Sequence, residues 1–249
     1  MFKLSTTDGT ANAMPLPTSC LLYTSYFGLD IDFEFVLAQD SQKYVSFIEK
    51  LAKALNANGF ILIVALAPKI SSTQKGTLYE RHDYSGLGNA ANISFLMTYE
   101  WGYTYGPPMA VAPINNVKTV LDYAITEIPS EKILMGIPTY GYLWSLPYVR
   151  GETKATSLSN ITATEIASAK NVNINFDSTA KSPYYYFTDD YGKESVVWFE
   201  DARSIEAKLN LVKEYKLLGV GYWNLDRPFP QNWLVLNALY NILQVPKTL

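Results

Sequence analysis

From Gly28 onward, short apolar runs alternate with stretches whose apolar residues recur at helical spacing. The first run, 29–36 (LDIDFEFV), is aromatic and β-branched with a period of two, which predicts a strand. Across 41–58, Tyr44, Phe47, Ile48, Leu51 and Leu55 share one helical face, and Gly59 stands where a left-handed cap is expected. The run 60–68 (FILIVALAP) is continuously apolar and stopped by Pro68, as in a parallel strand covered on both faces. Strands are predicted again at 93–99, 132–138 and 219–225, with helices over 113–126, about 201–217 and about 231–243. Repeated strand-then-helix units imply right-handed crossovers and an α/β fold with a parallel sheet.

Between 138 and 201 the rhythm breaks. SPYYYFTDDYGKESVVWFE (182–200) reads as a hairpin turning at 190–192, so 141–199 is expected to form a small α+β insertion in a strand-to-helix loop. Five strands fit either an open doubly wound sheet or part of a (β/α)8 TIM barrel. The Gly-rich turn of a nucleotide-binding sheet is absent, which weakens the first option, but periodicity does not choose between them.

Within the first strand, Asp30, Asp32 and Glu34 occupy alternate positions of an otherwise apolar run. Residues two apart on a strand point the same way, about 6.6 Å from one another. The three acids therefore share one face, and Leu29, Ile31, Phe33 and Phe35 take the other. Charged residues on a strand usually mark a solvated edge. Here a helix and a fully apolar strand follow, so this strand is expected to be central and covered. Three inward carboxylates would repel one another and lose hydration, raising the pKa of at least one. A carboxylic acid held protonated near neutral pH is what a general acid in glycoside cleavage requires. Other strand ends agree: Tyr99 and Glu100 lead into an aromatic loop beginning at Trp101, Tyr140 lies just past the fourth strand, and Trp223 lies in the fifth. Each ring alone would be read as packing, whereas their shared placement suggests a pocket for flat sugar faces.

Composition removes several other classes. A net charge of -3, with no basic cluster, argues against nucleic acid or an anionic membrane as partner. One Cys excludes an internal disulfide framework, and one His leaves no zinc-type ligand set. There is neither an apolar run long enough to span a bilayer nor a signal-peptide pattern.

GLDIDFE resembles the D-G-x-D-x-D-x-E signature of family 18 glycoside hydrolases, the chitinase-like (β/α)8 enzymes. LMTYEWGYTYGPPMAVAP, KILMGIPTYGYLW, VVWFEDARS and GVGYWNLDRPFPQNW resemble the bacterial branch that cleaves spore cortex and other peptidoglycan. The resemblance spans about 26–243 and implies a retaining, substrate-assisted hydrolysis of β-1,4 bonds at N-acetylglucosamine. Glu34 would be the acid, and Asp32 would orient the 2-acetamido group with Asp30 behind it. Tyr99 would hydrogen-bond the acetamido carbonyl, and Trp223 would floor the site. Glu100, where typical chitinases have Asp, would bind substrate with Tyr140 and Trp101. No metal or organic cofactor is implied, and the intact parent is expected to be an extracytoplasmic monomer of spore or cell wall. A chitinase-like protein that binds glycans without cutting them is the alternative, and retention of Glu34 favours the enzyme.

Two departures follow from the resemblance. Phe27 stands where the signature begins with Asp. The acid-bearing strand is the fourth of eight in the family, so this chain is expected to hold only strands four to eight, within a partial barrel over 26–249. SCLLYTS (19–25) resembles the translation of a transposase end used to prepare DNA libraries. Residues 1–25 are accordingly expected to be foreign to the enzyme, and the truncated chain alone to be of low stability and of weak or absent activity.

Overall fold

The computed structural model describes residues 26–241. The expectation for residues 1–25 therefore lies outside the described residues.

The chain runs β1 (Gly28–Ile31), α1 (Ser41–Asn56), β2 (Ile61–Leu66), α2 (Tyr84–Ala90), β3 (Ile93–Leu96), α3 (Ile114–Glu127) and β4 (Ile133–Pro138). It continues through β5 (Tyr140–Ser145), β6 (Thr156–Ser159), α4 (Asn160–Ala169), β7 (Asn175–Asp177), β8 (Ser182–Thr188) and β9 (Glu194–Trp198). It closes with α5 (Ala202–Glu214), β10 (Gly219–Trp223) and α6 (Pro230–Leu239). Among the described residues no helix is long and apolar enough to cross a membrane.

Five strands form one sheet in the order β1-β2-β3-β4-β10, every neighbouring pair parallel. The order never reverses, so there is no switch point of the kind that defines a doubly wound sheet. The sheet is a curled half of a (β/α)8 barrel. The other five strands make an antiparallel sheet, β6-β5-β9-β8-β7, carried between β4 and α5. Its turn at 189–193 is closed by Asp189, whose carboxylate accepts the Tyr191 and Lys193 amides at 2.9 and 2.8 Å.

Helix α1 forms because Tyr44, Val45, Ile48, Ala52 and Leu55 make one apolar stripe, which is buried against the parallel sheet. Gly59 then adopts φ +79°, as its position predicts. Helix α5 begins in a capping box: the Asp201 carboxylate accepts the Arg203 and Ser204 amides while Ser204 Oγ accepts the Asp201 amide. A second, smaller core of Leu158, Ala163, Ala167, Tyr185, Val197 and Phe199 fills the space between α4 and the antiparallel sheet.

The strand predicted over 29–36 is shorter than its pattern. Its ladder ends where Ile31 lies opposite Val64, and Asp32 to Val36 run on without it. The alternation of faces still persists as far as Glu34. Phe33 stacks on Tyr44 and Phe47 of α1, with ring centroids 5.5 and 5.8 Å apart, while the acids face inward. Phe35, expected on the helix side, has φ +56° and lines the inner pocket instead. A left-handed residue leaves the extended conformation on which the two-residue alternation depends, so the Phe35 ring departs from the face of Ile31 and Phe33.

Candidate active site

A pocket of about 550 Å³ opens where the parallel strands reach their C-terminal ends, the place where barrels of this architecture build their sites. Glu34 and Asp32 enter it from beyond β1, Tyr99, Glu100 and Trp101 from beyond β3, and Trp223 from the end of β10. Six of the eight residues singled out in the sequence thus share one cavity. Asp30 lies deeper, in an adjoining cavity of about 190 Å³ that also touches Asp32, Tyr99 and Trp223. Tyr140 stays outside the lining and reaches the site through Glu100.

Burial and the Asp32 charge push Asp30 from 3.8 up to about 6. Its proton is thus held to a pH above the ordinary carboxylate range. Tyr99 is 9% exposed, and burial, with the charges of Asp32, Asp30, Glu34 and Glu100, drives its phenol far above the ordinary value. Its hydroxyl therefore stays protonated and can donate. Two glycines make room for these rings. A Cβ at Gly136 would lie 2.8 Å from the Tyr99 ring, and one at Gly221 would lie 2.5 Å from Phe95. Thr98 Oγ1 donates to the Gly136 carbonyl at 2.7 Å, fixing the chain just ahead of Tyr99.

Glu100 is an exposed carboxylate on a backbone with φ +66°. Like Phe35, it holds a left-handed conformation that costs a non-glycine residue about 1–3 kcal/mol and tends to occur at functional sites. Tyr140 Oη donates to Glu100 Oε1 at 2.5 Å, and Tyr142 Oη donates to the same oxygen at 3.0 Å. Burial first and the Glu100 charge second push Tyr142 up to about 12, so both phenols remain donors. The two rings stand edge to face at 5.7 Å, and the Arg227 guanidinium lies 5.6 Å over Tyr140. Glu100 is thereby held by the antiparallel sheet rather than by its own strand.

Sequence reasoning missed Tyr142 and Tyr103. YGYLW offered a signal for Tyr142, because its period of two puts Tyr140, Tyr142 and Trp144 on one face of β5. Tyr103 lines the pocket from the loop after Trp101, and nothing in the local pattern distinguished it from its aromatic neighbours.

The sequence model of glycosyl hydrolases family 18 matches residues 19–227. The chain is 46% identical over 216 residues to the cortical fragment-lytic enzyme of Bacillus subtilis, covering 87% of this chain and 50% of that protein. It superposes on the crystal structure of the spore cortex-lytic enzyme SleL of Bacillus megaterium with a TM-score of 0.86 and 44% identity, covering 91% of this chain and 52% of that one. A chitinase from Chromobacterium violaceum gives a TM-score of 0.81 at 26% identity, over 88% and 68% of the two chains. The chain spans about half the length of the curated cortical fragment-lytic relatives it matches.

Proposed function

This chain belongs to glycosyl hydrolase family 18, and from that premise we propose that it hydrolyses β-1,4 bonds at N-acetylglucosamine in the peptidoglycan of spore cortex or cell wall. The observation that carries the reading is the gathering of Glu34, Asp32, Tyr99 and Trp223 around one pocket at the C-terminal ends of the strands. Glu34, exposed at the mouth, protonates the glycosidic oxygen as the bond to the leaving sugar breaks. The carbonyl oxygen of the 2-acetamido group attacks its own anomeric carbon, giving an oxazolinium ion. Water, deprotonated by Glu34, then opens that ion with net retention, so no second carboxylate acts as nucleophile.

Asp32 accepts the acetamido N–H and balances the positive charge. Asp30, whose proton is held up to about pH 6, shares that proton with Asp32 and limits repulsion between them. Tyr99 donates to the acetamido carbonyl, and Trp223 lies beneath the sugar ring. Glu100, fixed by Tyr140 and Tyr142, accepts from sugar hydroxyls beside Trp101. The relatives named for spore cortex support that substrate and, with it, an extracytoplasmic site of action for the parent protein.

Incubation with cortex glycan, followed by mass spectrometry and by NMR of the newly formed anomeric centre, tests this. Glu34→Gln should lower kcat by about 10²- to 10⁴-fold without moving the thermal midpoint. Unchanged cleavage would remove Glu34 from the mechanism, and wild-type binding without cleavage would make the protein a glycan-binding one.

A further inference from the structure

The chain has one histidine, and the reaction just described leaves it idle. His82 is nevertheless 0% exposed and engaged at both ring nitrogens. The Ala67 amide donates to Nδ1 at 2.9 Å, and Nε2 lies 3.0 Å from the Phe33 carbonyl oxygen. A backbone N–H can only donate and a carbonyl can only accept. Nδ1 must therefore offer its lone pair while Nε2 carries the proton, which fixes the neutral Nε2–H tautomer. Burial, aided by the Lys69 ammonium and opposed by the Phe33 bond and the Asp32 charge, holds the ring below its ordinary pKa.

We propose that His82 is a positioning residue for the acid: its Nε2–H pins the peptide unit joining Phe33 to Glu34 and so sets where the Glu34 carboxylate stands relative to Asp32 and Trp223. The ladder of β1 stops at Ile31, after Asp30 but short of Asp32 and Glu34. Beyond it, the Phe33 ring is wedged against Tyr44 and Phe47, and Phe35 turns left-handed immediately after Glu34. His82 supplies the backbone anchor between these two points, 49 positions away in sequence. The same ring holds Ala67, the residue after β2, whose carbonyl accepts from Tyr84 Oη at 2.5 Å while that oxygen accepts the Lys69 amide at 3.0 Å. One imidazole thus bridges the extensions of β1 and β2 where the ladder no longer does. A displacement of about 1 Å in a reacting group can cost about 100-fold in rate, so such an anchor bears on catalysis.

The inference rests on Glu34 being the acid, and its test separates the two. His82→Asn keeps an acceptor for the Ala67 amide but is too short to reach Phe33, whereas His82→Gln can place an amide donor near the Nε2 position. H82N should lose about 10- to 100-fold in kcat with KM within about 3-fold, and H82Q should stay at least about 10-fold above it at a similar thermal midpoint. Equal losses in both variants, tracking stability, would overturn the proposal. So would a ring spectrum with the proton on Nδ1, and ¹⁵N NMR reads this directly because the sole histidine gives one pair of ring nitrogen signals. If the wild type cleaves nothing, it is the proposed hydrolysis that falls. Positioning is then read from the side-chain carboxyl ¹³C signals of Asp32 and Glu34. They should move in H82N and recover in H82Q, and unmoved signals in H82N would refute the anchor.

Discussion

Asp30 and Glu200 are both acids that burial lifts above the usual carboxylate range, and their surroundings give them opposite uses. Asp30 lines a cavity, with the like charge of Asp32 as its neighbour. Glu200, 1% exposed just past β9, receives the Lys208 ammonium of α5 at 2.8 Å in a closed setting. A like charge beside open space leaves a proton available to move near neutral pH. An ammonium in a sealed space cancels the charge and fixes α5 to the antiparallel sheet instead. The depth of an acid therefore does not by itself mark chemistry, because the sign of its nearest neighbour decides.

Removing the neighbour should have the largest effect at the sealed site. Lys208→Met leaves Glu200 buried without its cation, so unfolding in urea should show a loss of about 3–5 kcal/mol. A loss under about 1 kcal/mol would mean that the pair is far less isolated from water than its geometry indicates. At the open site the effect is smaller and depends on pH. Asp30 holds its proton from 3.8 up to about 6 in the fold, so between those values the folded state binds more protons than the unfolded one. Its contribution is fully present below about pH 4 and is lost as pH rises through about 6, a change of about 3 kcal/mol at most. Asp30→Asn should therefore gain stability relative to wild type as pH rises from 4 to 7. A difference between the two proteins that stays flat with pH would show that Asp30 is not perturbed. The smallest change is expected when the sealed pair is replaced whole: Glu200→Gln with Lys208→Met should return to within about 1 kcal/mol of wild type.

The acid cluster was legible in advance because a period of two is a local property, and Asp30, Asp32 and Glu34 needed only their own strand to share a face. The extent of that strand was not legible, since the extended conformation outlasts the hydrogen-bonded ladder and the residue pattern does not record where pairing stops. The run 60–68 was clear for the same local reason as the acids. Strands β5 and β6 were not individually predicted, because YGYLWS follows β4 after one residue with no turn signal between them. Helix α2 was too short to show periodicity, although Asp83 caps it by accepting the Gly86 amide at 3.0 Å. Tyr142 and His82 escaped notice because each acts on a residue more than 40 positions away. Such meetings are set by tertiary packing rather than by local pattern.

The detour through the antiparallel sheet also has a kinetic side. In the parallel sheet, β4 and β10 are the one neighbouring pair that the chain joins through a second sheet. Where they meet, Thr139 donates to the Asn224 carbonyl across 85 positions. Closing so long a segment carries a large entropic cost, and contacts this distant in sequence form slowly. The cost falls once β5 and β9 have paired, because Tyr142 then lies opposite Trp198 and the two ends of the detour are already together. Pulsed hydrogen exchange during refolding should accordingly protect amides of β8 and β9 before those of β10, and the reverse order would contradict it. The antiparallel sheet would then act as a folding template, shortening the path by which the last parallel strand finds its place.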